Sequence, residues 1–267
     1  MIPAPVRYAR ASDVEHALEL LAEPDAKAIA GGQSLLPVMK LRIVRPSLVV
    51  DISRLELRGV ALRDGALHLG PLTTWDELLG ATELGRPALA AIAECASGIG
   101  DLQVRNRGTI GGSLAHADPA SDLPAVLLAL DATLVLRSPD GGRALPLTEF
   151  LLGPFTTALG TQELITDVVV PLPAPGSGSA YASVEHPASG FALAGAAALV
   201  GPAEERAIAV TGVGGQPFLL SGEAESALEV AEIYGDRFAS AEYRRHLAEV
   251  VTARALAKAE QRAEEDQ

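Results

Sequence analysis

The chain has 267 residues, with 34 acidic against 21 basic side chains and a formal net charge of −13. Such a surface repels nucleic acid and anionic membranes, which excludes both as the main partner. A single cysteine, Cys95, excludes a disulfide framework, a cysteine zinc site and an iron–sulfur cluster on this chain, because each needs several thiolates.

With 48% apolar residues the chain can bury the core of one large domain or two ordinary ones. Ser12-Asp-Val-Glu15 predicts the first helix, with Ser12 as its cap, Glu15 reaching back, and Val14, Ala17, Leu18 and Leu21 on one apolar stripe. Short strands are predicted at Ala28–Ala30, Leu48–Ile52 and Ala66–Leu69, punctuated by Pro46 and Asp64-Gly65. Thr74-Trp-Asp-Glu77 repeats the capping pattern and opens a second helix, and Pro87–Ser97 is a third. A helix over Leu123–Leu130, a strand over Thr133–Arg137, a turn at Asp140–Gly142 and a strand over Leu164–Val170 follow. The segment Pro171–Ser179 cannot fill a core and reads as the domain boundary. Beyond it are predicted a sheet over Ala180–Val213 and a long helix from Ser240 that buries Tyr243, Leu247, Val250 and Val251, with a fraying acidic tail over Glu260–Gln267. Helices and strands alternate without a βαβ rhythm, so the fold class is α+β.

The N-terminal stretch has no apolar signal core after a basic start. The longest apolar run, Phe191–Val200, is far short of the roughly 20 residues that span a bilayer. A cytoplasmic protein with no membrane insertion is expected.

Two segments stand apart, Ala30-Gly-Gly-Gln-Ser-Leu-Leu-Pro37 and the run from Arg107 to Pro124 that contains Thr109-Ile-Gly-Gly-Ser113. Each sets adjacent glycines before an amide or hydroxyl side chain. Adjacent glycines let backbone amides converge on one point, which suits a phosphate, and Gln33, Ser34, Thr109 and Ser113 add neutral donors without a lysine. Two such loops could hold a pyrophosphate from both sides; ordinary tight turns are the alternative. Leu35, Ile99 and Ile110 could line an apolar slot for rings.

Rival motifs are weaker. Gly98-Ile-Gly-Asp-Leu-Gln103 lacks the third glycine of a dinucleotide fingerprint, and no Walker loop occurs. The five histidines show no metal-ligand spacing, so no metal site is expected; His116, inside the second segment, could lie beside a ligand. Ser34 is not in a nucleophile elbow. Asp118 and Asp122 read either as paired carboxylates or as turn and cap residues.

Ala30–Leu55 and Arg105–Pro124 together closely resemble the FAD-binding medium subunit of the molybdenum hydroxylases, the family of bacterial carbon monoxide dehydrogenase, xanthine dehydrogenase and related aldehyde or N-heterocycle dehydrogenases. The resemblance extends through Met1–Tyr8, Gly212-Val-Gly-Gly-Gln-Pro217 and Glu242-Tyr-Arg-Arg-His-Leu247. It implies a vanillyl-alcohol-oxidase-like (PCMH-type) FAD-binding domain of two subdomains over residues 1–175, then a small α+β C-terminal domain over 176–267. It also implies that Ala30, Gly31, Gly32, Gln33 and Ser34 form one FAD loop and Thr109, Ile110, Gly111, Gly112 and Ser113 the other. Asp122 matches an aspartate that bonds to the cofactor, and Leu164 a position that contacts FAD through its backbone. No residue of this chain would be a catalytic acid or base.

The implied partners are a large molybdenum–pterin subunit and a small subunit with two [2Fe-2S] clusters, in a dimer of heterotrimers. Electrons would pass from those clusters to FAD and on to NAD⁺, a quinone or oxygen. The lone Cys95 fits this division, since the clusters must then lie on another chain. The sequence departs from the family at Glu185-His-Pro-Ala-Ser-Gly-Phe191, where a basic pair and an acid are common, and looks short between Gly215 and Ser240. Two other readings are a free-standing FAD oxidase of the same fold and an interaction subunit without cofactor.

Overall fold

The computed structural model describes residues 2–222 and 224–265. Strand β1 (Arg7–Arg10), helix α1 (Val14–Leu21), strand β2 (Lys27–Ile29), helix α2 (Leu35–Lys40) and strand β3 (Leu48–Asp51) come first and form a parallel sheet in the order β1-β3-β2. Its small core joins Leu18, Leu21, Leu48, Val50 and Leu55. The cap of α1 is Asp13, not Ser12: the Asp13 carboxylate accepts from the His16 amide at 2.8 Å, and the Ser12 hydroxyl donates to Asp13. A charged acceptor is the stronger cap for an amide. With the helix starting one residue later, Glu15 is too near the end to reach back.

The middle of the chain supplies β4 (Val60–Arg63), β5 (Ala66–Leu69), α3 (Trp75–Leu79), α4 (Ala90–Gly98), α5 (Leu102–Arg105), α6 (Ile110–His116) and α7 (Asp122–Ala129). It continues with β6 (Thr133–Ser138), β7 (Gly141–Pro146), α8 (Leu147–Phe150), β8 (Leu151–Gly153), β9 (Thr156–Thr157) and β10 (Leu164–Pro171). An antiparallel sheet runs β4-β5-β10-β6-β7, and β8 and β9 make a separate hairpin. The capping box at α3 is present in both directions between Thr74 and Glu77. Pro87 begins a 3₁₀ turn that leads into α4, because its ring favours a first-turn position and donates no hydrogen bond. The largest core cluster packs this sheet against α3, α4, α6 and α7 through Leu67, Leu78, Ile92, Ile110, Leu127 and Leu134.

The last part forms β11 (Gly178–Glu185), β12 (Ala192–Val200), β13 (Arg206–Thr211) and β14 (Phe218–Leu219), then α9 (Ala224–Val230) and α10 (Ala241–Glu265), with the strands in sequential antiparallel order. Apart from the half-exposed Phe191, the apolar run noted above is β12, the strand between β11 and β13. Ala194, Ala196 and Ala198 face α10, while Ala197 and Tyr181 join the core around α4 and α7. A strand covered on both faces needs apolar residues at consecutive positions, which explains the unbroken run without a membrane. Among the described residues no helix is long and apolar enough to cross a membrane.

Helix α10 differs from expectation in its buried face. Tyr243 is half exposed, and the buried positions are Arg244, Leu247, Ala248, Val251, Thr252, Ala255, Ala259 and Ala263. Helix and sheet approach too closely for larger side chains: a Cβ on Gly178 would lie 2.2 Å from the Ala259 carbonyl oxygen. Arg244 replaces Tyr243 on this face because it donates to the carbonyls of Leu193 and Gly212 and pairs with Asp236 at 2.7 Å. The helix also continues through Glu265, since Arg262 donates to the Ser179 carbonyl and pairs with Glu94. Residues 266 and 267 lie outside the described residues.

Gly178→Ala is therefore expected to destabilise the chain by roughly 1–3 kcal/mol through overpacking. Gly85→Ala, where a Cβ would meet nothing within 4 Å, serves as the control. Urea denaturation of both variants checks this, and equal midpoints would show that the α10–β11 contact relaxes without cost.

Candidate functional site

The first glycine segment joins β2 to α2. Gly32 has φ +78°, a left-handed conformation that glycine adopts without strain, and its carbonyl accepts from Leu36 at 3.1 Å. The amides of Gly31, Gly32, Gln33 and Ser34 donate to no acceptor among the described residues. Ser34 stands at the start of α2 without a side-chain cap bond, and Gln33 is exposed. Four consecutive amides with no internal partner are available to the oxygens of a ligand.

The second segment is arranged differently. Thr109 caps α6 and its hydroxyl accepts from the Gly112 amide. The amides of Ile110 and Gly111 donate to the carbonyls of Thr73 and Pro71, and that of Ser113 to Thr109. A Cβ on Gly111 would lie 2.5 Å from Pro71 Cβ, and one on Gly108 would lie 2.6 Å from the Trp75 indole nitrogen. These glycines bring the segment hard against Pro71–Trp75. The Ile110 side chain is fully buried in the main core, so it cannot line a ring slot; only its backbone is available.

The two segments meet. A Cβ on Gly31 would sit 1.8 Å from the Arg107 carbonyl oxygen and 3.1 Å from Gly108 Cα. Beside this contact lies a small cleft, lined by Ala30 and Gly31 from one side, Asn106, Arg107 and Thr109 from the other, and Ser53, Arg58, Leu72 and Thr74. Arg58 donates to both Glu77 carboxylate oxygens at 2.9 and 3.0 Å. Arg58 and Arg107 were not among the neutral donors read from the sequence. Arg107 is the first residue of the second segment, which is a usable signal; Arg58 follows β3 and carries none.

Asp122 opens α7, directly after Ser121. The hydroxyls of Ser113 and Ser121 are 2.8 Å apart, and the Tyr181 hydroxyl donates to Asp122. Burial pushes the Asp122 carboxyl up to about 6, the nearby Glu185 and Asp118 add to this, and the Tyr181 bond opposes it. Asp118 itself accepts from the Ala120 amide as a turn residue, and is not paired with Asp122 by any hydrogen bond among the described residues. The Leu164 side chain is buried with Leu48, Val50 and Leu72, so this residue also has only its backbone to offer. His116 packs its ring against Phe155 at 5.2 Å between centroids.

The raised Asp122 value fixes the sign of a pH effect. The native chain holds this proton up to about pH 6, whereas the unfolded chain releases it near the ordinary aspartate value of 3.8, so stability falls as pH rises across that window. Above it the cost is on the order of 3 kcal/mol. Asp122→Asn is expected to make the chain, free of any ligand, more stable than the wild type at pH 8, with the gap narrowing toward pH 4. Urea denaturation at both pH values checks it; a variant equally stable at pH 8 would show that the carboxylate is ionised there without penalty.

Residues 4–173 match the family described as the FAD binding domain in molybdopterin dehydrogenase. The chain is 42% identical over 236 residues to the 6-hydroxypseudooxynicotine dehydrogenase complex subunit alpha of Paenarthrobacter nicotinovorans, covering 85% of this chain and 79% of that one. It is 39% identical over 203 residues to the carbon monoxide dehydrogenase medium chain of Hydrogenophaga pseudoflava, covering 75% and 70%. Among solved structures, the carbon monoxide dehydrogenase of that organism lacking the Mo-pyranopterin moiety of its cofactor contains a chain that superposes with a TM-score of 0.92 at 34% identity, over 98% of this chain and 99% of that one. Quinoline 2-oxidoreductase from Pseudomonas putida 86 superposes with a TM-score of 0.91 at 30% identity, over 98% and 99%.

Proposed function

Because this chain belongs to the FAD-binding medium subunits of the molybdenum hydroxylases, with their PCMH-type FAD-binding fold, we propose that it seats FAD between its two glycine segments and serves as the electron-transfer subunit of a heteromeric oxidoreductase. The observation that carries the reading is the run of four unpartnered amides, Gly31 to Ser34, held beside the Arg58 and Arg107 cleft by the contact of Gly31 with Arg107. A pyrophosphate carries two negative charges and many acceptor oxygens, and this set of donors suits it. Each segment has its own part. Ala30–Ser34 supply amides, and Thr109–Ser113 supply a rigid wall in which the amides from Ile110 to Ser113 are already engaged and that of Thr109 is left for the ligand. Asp122 accepts from a donor on the cofactor, and Leu164 offers only its backbone. In domain terms, residues 1–175 hold the cofactor and 176–267 brace it.

When bound, FAD supplies the exchange between one- and two-electron transfer, so that electrons from [2Fe-2S] clusters of a partner can leave as a pair to a terminal acceptor. The chain's own residues bind and orient; none is assigned acid–base chemistry. Relatives named as a medium chain and as a complex subunit support a heteromeric complex; in the proposed assembly the partners are a large molybdenum-binding subunit and a small iron–sulfur subunit, in a dimer of heterotrimers in the cytoplasm.

Purified chain is expected to be yellow, with flavin absorbance near roughly 450 nm. Gly31→Ala and Gly111→Ala each force a backbone contact apart, at an overpacking cost of roughly 1–3 kcal/mol. In affinity this is a loss of roughly 5- to 150-fold, read by flavin fluorescence titration, with circular dichroism to confirm folding. Undiminished flavin content in both variants would overturn the assignment of the two segments. Substrate-driven reduction of the flavin only in the presence of the partner subunits would distinguish this role from a free-standing oxidase.

A further inference from the structure

We infer that the carboxyl-terminal sheet completes the cofactor site: the Tyr181 hydroxyl, given room by Gly195, positions the Asp122 carboxyl toward FAD, while Thr211 fixes the backbone that carries it. The inference rests on the reading of Asp122 as a cofactor contact.

Tyr181 is anchored at both ends. Its amide donates to Glu94 Oε2 at 2.9 Å, and Glu94 is itself held by Arg262 and Lys258 of α10. Its hydroxyl then crosses the neighbouring strand to donate to Asp122 Oδ1. A Cβ on Gly195 would lie 2.2 Å from that hydroxyl and 3.0 Å from Tyr181 Cζ, so any side chain at 195 would drive the hydroxyl off Asp122. A second set of bonds holds the segment before α7. The Thr211 hydroxyl lies 3.0 Å from the Pro119 carbonyl and 2.7 Å from that of Ser121, and the Gly212 amide donates to Pro119 at 3.0 Å. Ser121 meets Ser113 at 2.8 Å, which carries the brace into the second glycine segment.

Packing alone does not account for this arrangement. The groups that face Asp122 are Tyr181 and Glu185 of β11, Asp118 before α7 and Cys95 of α4, and none of them is a cation. A carboxyl buried in such company is costly, and an apolar pair of the same shape would be cheaper. An ionised carboxylate only accepts hydrogen bonds, and Tyr181 occupies one oxygen and leaves the other for a hydroxyl or N–H of a ligand.

The test is FAD titration of the full chain by flavin fluorescence from pH 5 to 8, comparing wild type with Tyr181→Phe, Gly195→Ala, Thr211→Val and the Tyr181→Phe/Gly195→Ala double variant. Loss of one hydrogen bond to the carboxylate is expected to weaken FAD binding about tenfold at pH 7. It should also raise the pH below which affinity falls by at least about half a unit, because that bond favours the ionised form. Gly195→Ala should behave like Tyr181→Phe. The double variant should bind no worse than Gly195→Ala alone, since the hydroxyl it would collide with is gone. Thr211→Val should lower affinity without moving the pH midpoint. Wild-type binding matched in both affinity and pH midpoint by Tyr181→Phe and Gly195→Ala would overturn the inference alone. Wild type that takes up no FAD would overturn the reading of the site, and the inference with it.

Discussion

The cofactor site depends on the approach of Gly31 to the Arg107–Gly108 backbone. The first glycine segment extends from a parallel sheet with its own small core, and the second belongs to the larger antiparallel sheet and its helices. With no Cβ at position 31, the two backbones come into contact. The contact is made through Cα and carbonyl, so it uses none of the amides from Gly31 to Ser34, and those donors stay available. From Ile110 to Ser113 the similar second segment does the opposite, spending its amides on Pro71, Thr73 and Thr109, and only the Thr109 amide donates to no acceptor among the described residues. Two look-alike sequences thus divide the work: one offers hydrogen-bond donors and the other offers a fixed wall.

The carboxyl-terminal part is built for close packing. Alanines on both faces of β12 and along α10 allow helices to lie near the sheet on either side, with Gly178 at the tightest point. Polar groups then tie the layers at chosen places. Arg244 satisfies the Leu193 and Gly212 carbonyls, and Glu94 gathers Tyr181, Lys258 and Arg262. Each is a buried or half-buried charge with several partners, the condition under which such groups are tolerated. Asp122 is the exception, a carboxyl that burial holds at about 6 with one strong donor. Unfavourable placement of this kind is characteristic of functional positions, where a group is kept ready for a ligand at some cost to the free chain.

Much of this was legible in advance for local reasons. The Thr74–Glu77 box, the strand ended by Pro171 and the class of the fold follow from residues a few positions apart. The exchange of Ser12 for Asp13 as a cap, and of Tyr243 for Arg244 on the buried face of α10, were not legible. In the first, two adjacent acceptors compete for the same amides and the register decides. In the second, a charged residue earns burial only through carbonyls that are distant in sequence, those of Leu193 and Gly212.

The family and its cofactor are determined by the sequence, because two glycine segments of that composition and order carry the pattern without any knowledge of the fold. Which atoms those segments have left to give was decided by tertiary structure alone. Adjacent glycines state that a backbone must come close to something. Whether that something is a phosphate or another stretch of chain depends on what the folded protein brings opposite, and here Gly31 meets Arg107, Gly111 meets Pro71, and among the described residues the consecutive run of free amides lies on the first segment, with the Thr109 amide facing the cleft from the second.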